Sequence, residues 1–354
     1  MTAASTSAGL RPTRWYHTLI NTPLNALITV IVAGLLAAAL PAAVEWLFLF
    51  ARFGGDSPQA CAGIKGACWT FIAQKHRVIL FGLYPYVEQW RPLLACVVLI
   101  GIVVLSCQRR FWRPSLAIYW LVALALVAFL MWGGVLGLSF VETRLWGGLP
   151  LTLILATVGV GLAFPLGVLL ALGRRCELPA VRSVCVIYIE LIRGVPLISL
   201  LFMASVMLPL FLPEGLNINK LLRAQIAIVL FVAAYIAETV RGGLQSIPKG
   251  QYEGADSLGL GYWQKTLFVV LPQALRAIVG PLVGIFISLL KDTSLVVVIG
   301  VFDLMQATKA ALADAQWQGF STEAYLFIGA IYFVMCFSIS RYSQSLERQW
   351  RRTE

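Results

Sequence analysis

Residues 246–264 read SIPKGQYEGADSLGLGYWQ, and they interrupt a chain that is otherwise overwhelmingly apolar. Pro248 suits a first helical turn and Gly259 a helix end. Between them Tyr252, Ala255 and Gly259 fall at i, i+3 and i+7, a narrow face of small residues with one aromatic, flanked by Glu253 and Asp256. A helix this short is marginal alone in water and needs a surface to dock on. The segment GLGYWQKT lacks the G-x-x-x-x-G-K-[ST] spacing of a phosphate-binding loop, which occurs nowhere else in the chain, so the protein does not hydrolyse ATP by itself.

The flanks set the class. Of 354 residues, 60% are hydrophobic and 12% charged, against about 25% charged in soluble domains, so the surface must face lipid. Several runs reach spanning length, and eight candidate spans lie at roughly 24–50, 92–107, 115–138, 149–172, 181–212, 222–241, 266–290 and 324–341. The predicted fold is an all-α integral membrane protein. The first run begins like a signal peptide, but it continues through VEWLFLF and is too long for one, so it reads as an uncleaved span.

A net charge of +11 does not indicate nucleic acid, because the cations cluster at span ends and form no stripe with interleaved aromatics. Arg11 and Arg14, the 109–113 loop, Arg174, Arg175 and Arg182, Arg241, Lys249 and Lys265, and the tail Arg341, Arg348, Arg351 and Arg352 all fall on one side, which the charge rule makes cytoplasmic. Both termini, the 246–264 stretch and the 342–354 tail then lie in the cytoplasm. The 51–91 loop lies outside. In the tail, Tyr342, Leu346 and Trp350 share one helical face, as an interfacial helix or as a solvated segment. The seven Cys residues carry no metal pattern. Cys61 and Cys68 lie in the polar outer loop as CAGIKGAC and are either a disulfide or two thiols.

The central stretch is similar to a known family. The family pattern is E-A-A, three residues, Gly, nine residues, Ile, one residue, Leu-Pro, and Glu253-Gly254-Ala255, Gly259, Val269 and Leu271-Pro272 stand at that spacing, with Gly254 and Val269 as departures. Gly254 in place of Ala loosens a helix by about 1 kcal/mol. The stretch thus resembles the EAA loop of the inner-membrane permeases of binding-protein-dependent ABC importers. WGGLPLTL (146–153), YIELIRGVPL (188–197), AETVRGGLQSIPKGQ (237–251), LPQALR (271–276) and KDTSL (291–295) resemble permeases for polar or general L-amino acids. The resemblance covers about residues 146–349. It implies a five-span permease core at 146–341 carrying the loop 246–264, preceded by a three-span extension at 1–140.

The resemblance further implies a bacterial inner-membrane transport subunit, not an enzyme, that moves amino acids from periplasm to cytoplasm. The coupling helix, with Tyr252, Glu253, Gly254, Ala255, Asp256 and Gly259, would seat in an ATPase subunit. Implied partners are two ATP-binding cassette ATPases, which would hold the ATP and Mg, a periplasmic amino-acid-binding protein and a second, homologous permease in a heterodimer. No cofactor is expected on this chain. The alternative is a self-sufficient secondary transporter or channel, which leaves the EAA spacing unexplained.

Charges inside spans are costly unless paired. E-x-x-R-G occurs twice, at Glu190/Arg193/Gly194 and Glu238/Arg241/Gly242, and a spacing of three lets each pair neutralise itself. Glu238 and Arg241 read as a structural ion pair. Glu190 and Arg193 precede Gly194 and Pro196, where the helix should break and expose backbone to a transport path. In KDTSL, Asp292 could accept from a substrate ammonium, with Thr293, Ser294 and Arg193 as donors to its carboxylate. Lys291 and Asp292 could equally be a surface cap.

Overall fold

A computed structural model describes residues 19–211, 213 and 218–350. Arg11, Arg14, Arg351 and Arg352, counted above toward topology, lie outside the described residues. Contacts divide the chain into two units between Gln74 and Lys75.

In the first unit, α1 (Pro23–Val44) opens on Thr22, whose hydroxyl accepts from the Asn25 amide at 3.2 Å, and ends in a wide turn at Glu45–Leu49. None of its residues is buried, as befits a helix whose solvent is hydrocarbon. The loop after it folds back on the helix end. The Ala67 amide donates to the Trp46 carbonyl at 2.8 Å and the Trp69 indole to Leu47 at 2.8 Å. Cys61 and Cys68 form a disulfide across this loop, with Cα atoms 5.9 Å apart.

α2 (Thr70–Phe81) crosses the division. α3 (Trp90–Ser106) and α4 (Ser115–Trp132) form a hairpin whose core holds Ala95, Cys96, Leu99, Val127, Leu130 and Met131. The last carbonyls of α4 have no intrahelical donor. Buried Arg91 supplies one, its Nε donating to Leu130 at 2.7 Å, and the Tyr84 hydroxyl donates to Met131 at 3.1 Å.

The remaining helices build the second core. They are α5 (Gly148–Arg175), α6 (Pro179–Gly194), α7 (Leu197–Phe202), α8 (Lys220–Ser246), α9 (Lys249–Ser257), the single turn α10 (Tyr262–Gln264), α11 (Leu271–Ala277), α12 (Val279–Asp292), α13 (Leu304–Leu312) and α14 (Ser321–Trp350). A Cβ on Gly159 would lie 3.0 Å from Ile228, and one on Gly167 2.6 Å from Ile236. These contacts are eight residues apart in the same sense on both helices, so α5 and α8 run parallel at close range. Ile278 meets Gly243 and Leu289 meets Gly159, so α12 runs the opposite way. Gly148 (φ +68°) starts α5 where a side chain would strike the Leu80 carbonyl at 2.1 Å, so only glycine fits there.

Among the described residues seven helices are long and apolar enough to span a membrane, and the pair α6–α7, with the turns that follow it to Phe211, makes an eighth if taken as one bent span. That pair turns by 104° at Val195–Pro196, with Val195 extended ahead of the proline. The seventh span differs from expectation. Residues 265–277 are a π turn and the short α11, and the long helix starts only at Val279. Pro272 and Pro281 would each lack a donor in one continuous helix, and the stretch divides into two pieces at Ile278. Tail residues 342–349 are neither a separate interfacial helix nor a free solvated segment, and the Trp350 side chain and residues 351–354 lie outside the described residues. α14 runs unbroken through Tyr342, whose hydroxyl donates to the Cys107 carbonyl at 2.8 Å, and Leu346 is buried.

Candidate functional site

α9 has an inner and an outer face. On the inner face Ala255 is buried, and the Tyr252 ring packs against the core. The Tyr252 hydroxyl donates to the Leu244 carbonyl at 3.1 Å and accepts from Arg175 Nη1 at 3.2 Å. Lys265 pairs with Asp256 at 2.5 Å, and the Gln273 amide donates to Gln251 at 3.0 Å. The helix therefore docks on its own chain through Tyr252 and Ala255, and those two residues anchor it.

The end of α9 is set by Gly259 at φ +72°. The Leu260 amide donates to Ala255 at 3.2 Å and the Gly259 amide to Asp256 at 2.9 Å, both across the last turn. The outer face carries Glu253, Gly254, Ser257 and Leu258, with Tyr262 and Trp263 beside it, all exposed, and Leu258 is 80% exposed. A Cβ on Gly254 would meet nothing within 4 Å. An apolar, mildly acidic strip held on a rigid base is what a groove on another protein can grip.

Directly behind α9 lies a charge cluster. Glu238 accepts from Arg241 (2.5 and 3.0 Å) and Arg174 (3.2 Å), and Arg193 stands 3.7 Å away. Arg174 also holds Glu190 at 2.8 Å. Both E-x-x-R-G pairs therefore enter one cluster. Glu238 and Arg241 pair within their helix, but Glu190 and Arg193 do not neutralise each other. Glu190 turns to Arg174 on α5 and Arg193 to Glu238 on α8, because three helices meet there and interhelical partners lie closer. Arg193 Nε is buried with no partner among the described residues. Residues 174 and 175, read from sequence only as topology charges, are the link between α9 and this cluster. Their position in the last turn of a long span, opposite two internal carboxylates, was the available signal.

The 291–295 segment lies elsewhere. Leu289 packs at Gly159, level with Ile228 on α8, whereas Glu238 lies ten residues further along. At 1.5 Å per residue that is about 15 Å, and Asp292 continues in the opposite direction. Arg193 and Asp292 are therefore not brought together. Thr293 is fully buried and its hydroxyl donates to the Leu290 carbonyl at 2.8 Å, so it caps its own helix and is not presented to a ligand. Asp292 and Ser294 are half-buried, and no ion pair to Asp292 forms among the described residues.

Residues 163–352 match the family described as binding-protein-dependent transport system inner membrane component. The chain is 49% identical over 332 residues to the inner membrane amino-acid ABC transporter permease protein YhdY of Escherichia coli (strain K12), covering 92% of this chain and 89% of that protein. It is 36% identical over 403 residues to the glutamate/glutamine/aspartate/asparagine transport system permease protein BztC of Rhodobacter capsulatus, covering 94% and 92%. Among solved structures it is similar to one described as an amino acid ABC transporter with histidines, at 33% identity and TM-score 0.50, over 56% of this chain and 90% of that one.

Proposed function

The chain belongs to the family of binding-protein-dependent inner-membrane transport components, and on that footing we propose that it carries amino acids from periplasm to cytoplasm as one of two permease subunits in an ATP-driven importer. It is a multi-pass inner-membrane transport subunit and not an enzyme. The observation that carries the coupling role is α9, with its inner face locked to α8 and α11 and its outer face open. Two ATPase subunits, which bind the ATP and Mg, dock on Glu253, Gly254, Ser257 and Leu258 here and on the matching helix of a homologous permease. A periplasmic binding protein delivers the cargo to the opposite end.

This reading places both termini and α9 in the cytoplasm, supported by Arg174, Arg175, Arg241, Lys249 and Lys265 gathering at one end of the spans. Asp292 is the acceptor proposed for the cargo's ammonium, because its carboxylate lies partway along a span and no cation pairs with it among the described residues. The rest of the cargo's contacts would come from other segments or from the second permease.

The test is purification from mild detergent followed by reconstitution. An ATPase should copurify with wild type and be lost with Glu253→Lys, and labelled L-amino acids should enter proteoliposomes only with ATP and the binding protein. Uptake driven by an ion gradient with no ATPase present would establish the secondary-transporter alternative instead.

A further inference from the structure

At the end of the bundle opposite α9 lies a cavity of ≈ 600 Å³, within the usual range for small-ligand sites. One wall is the segment joining α4 to α5, with Trp132 and Trp146, whose rings lie 5.0 Å apart. The other wall is the first turn of α8, with Lys220 and Arg223, and the 300–302 turn, with Phe302. The site is thus built jointly by the chain ahead of the family-matched residues and by the core.

Its charges are unbalanced. Glu142, on the rim, is paired with Arg144 at 2.5 Å. Among the described residues no carboxylate pairs with Lys220 or Arg223. Arg223 is 8% exposed, and Nη1 donates to the Ser205 carbonyl, but Nε has no partner among the described residues. The guanidinium therefore lines the cavity with part of its donor set unmet, and a buried cation so placed is stabilised by an acceptor brought from outside the chain. The amino end of the 27-residue α8, whose Leu221 amide is already held by Asn219 at 2.8 Å, adds positive potential to the same wall.

We propose that this cavity binds an acidic L-amino acid. Its carboxylates would engage Lys220 and Arg223, its methylenes would lie over Trp132 and Trp146, and its ammonium would turn to the Glu142 rim. Two unmatched cations select a dicarboxylate over a neutral zwitterion. The inference rests on the amino-acid cargo proposed above and narrows it to the acidic class, held at the periplasmic end before the bent span is passed.

The test uses the full chain with its partner permease and ATPase in phosphatidylcholine nanodiscs, which offer no anionic headgroup, with neither binding protein nor ATP. Tritiated L-glutamate should bind saturably. L-aspartate should displace it and L-leucine should not. Lys220→Gln, at an exposed position, should keep the wild-type melting temperature and weaken binding about tenfold. Arg223→Gln should abolish binding. Absence of saturable binding, displacement by L-leucine as well as by L-aspartate, or unchanged affinity in Lys220→Gln each overturns the site. ATP-dependent amino-acid uptake by a complex that binds no L-glutamate directly would sink the cavity alone. Loss of that uptake altogether would sink the transport reading.

Discussion

Removing one oxygen from the anchor of α9 should release the helix without disturbing the spans. In Tyr252→Phe the ring stays against the core and beneath Arg175, whose guanidinium carbon lies 5.8 Å from the ring centre. Two hydrogen bonds go, the one to the Leu244 carbonyl at 3.1 Å and the one from Arg175 at 3.2 Å. A neutral bond contributes about 0.5–1.5 kcal/mol and a charged one about 1.5–3. Both are long and half-exposed, so about 2 kcal/mol in total is the reasonable sum. That is roughly thirtyfold in the ratio of docked to released α9. Gly254→Ala acts the other way, because the position is open and alanine favours helix by about 1 kcal/mol. The assay is amide hydrogen exchange on residues 249–260, followed by substrate-stimulated ATPase activity in proteoliposomes. Protection should fall about thirtyfold in Tyr252→Phe and rise several-fold in Gly254→Ala. The ratio of transport to hydrolysis should fall in the first and hold in the second. Equal protection in all three proteins would mean that the hydroxyl is not what holds the helix.

Three further outcomes follow from the same geometry. Glu238→Gln deprives Arg174 and Arg241 of their shared acceptor and should cost about 1.5–3 kcal/mol in thermal unfolding, whereas Glu190→Gln, which touches only Arg174, should cost under about 1 kcal/mol; equal losses would remove Glu238 from the centre. Lys75 at 2.5 Å and the Gln316 amide hold the Asp314 carboxyl below its usual range, so the stabilisation is present above pH ~4 and is lost as pH falls through the lowered value. Asp314→Asn should therefore melt below wild type at pH 6, and the gap should narrow as pH is lowered below ~4; a gap that does not narrow with acid would contradict the pairing. An impermeant maleimide should label Cys61 and Cys68 in spheroplasts only after reduction; labelling that appears only after lysis would invert the topology.

What the sequence disclosed and what it hid divide along a physical line. Local features were legible. Pro248 and Gly259 bracket α9 because one lacks a donor and the other takes positive φ. Gly194-Val195-Pro196 announced a break, because a residue before proline leaves the helical region, though not its 104° angle, which α8 and the 293–299 turn impose through packing. Hydropathy averaged over the interruption at Pro272, Gln273 and Arg276, so the start of the seventh span slid from 266 to 279. Partner choice among charges was also hidden. Spacing favours Glu190 with Arg193, but a side chain takes the guanidinium that lies nearest in space, and Arg174 is 16 residues away in sequence. Separation along the bundle was hidden for the same reason, so Arg193 and Asp292 looked like two halves of one site until the register of α12 against α5 and α8 was known.

That register also shows how an event at α9 can reach the spans. Arg174 and Arg175 are consecutive residues in the last turn of α5. The first binds the charge cluster and the second the Tyr252 hydroxyl. A pull on α9 is therefore a pull on the end of α5, and Gly159 and Gly167 leave α5 no slack against α8, because their faces meet Ile228 and Ile236 in direct contact. α5 and α8 should then move as one body. The yielding part must be one with fewer fixed partners, and the bend at Val195–Pro196 meets that condition. On one side of it Arg193 Nε has no partner among the described residues and the guanidinium approaches Glu238 only to 3.7 Å, and on the other α7 runs into π and 3₁₀ turns whose hydrogen bonds are already irregular. Under the docking proposed above, force applied at Glu253 and Leu258 would in this way be delivered to the bent α6–α7 pair, while the parallel pair carries it without deforming.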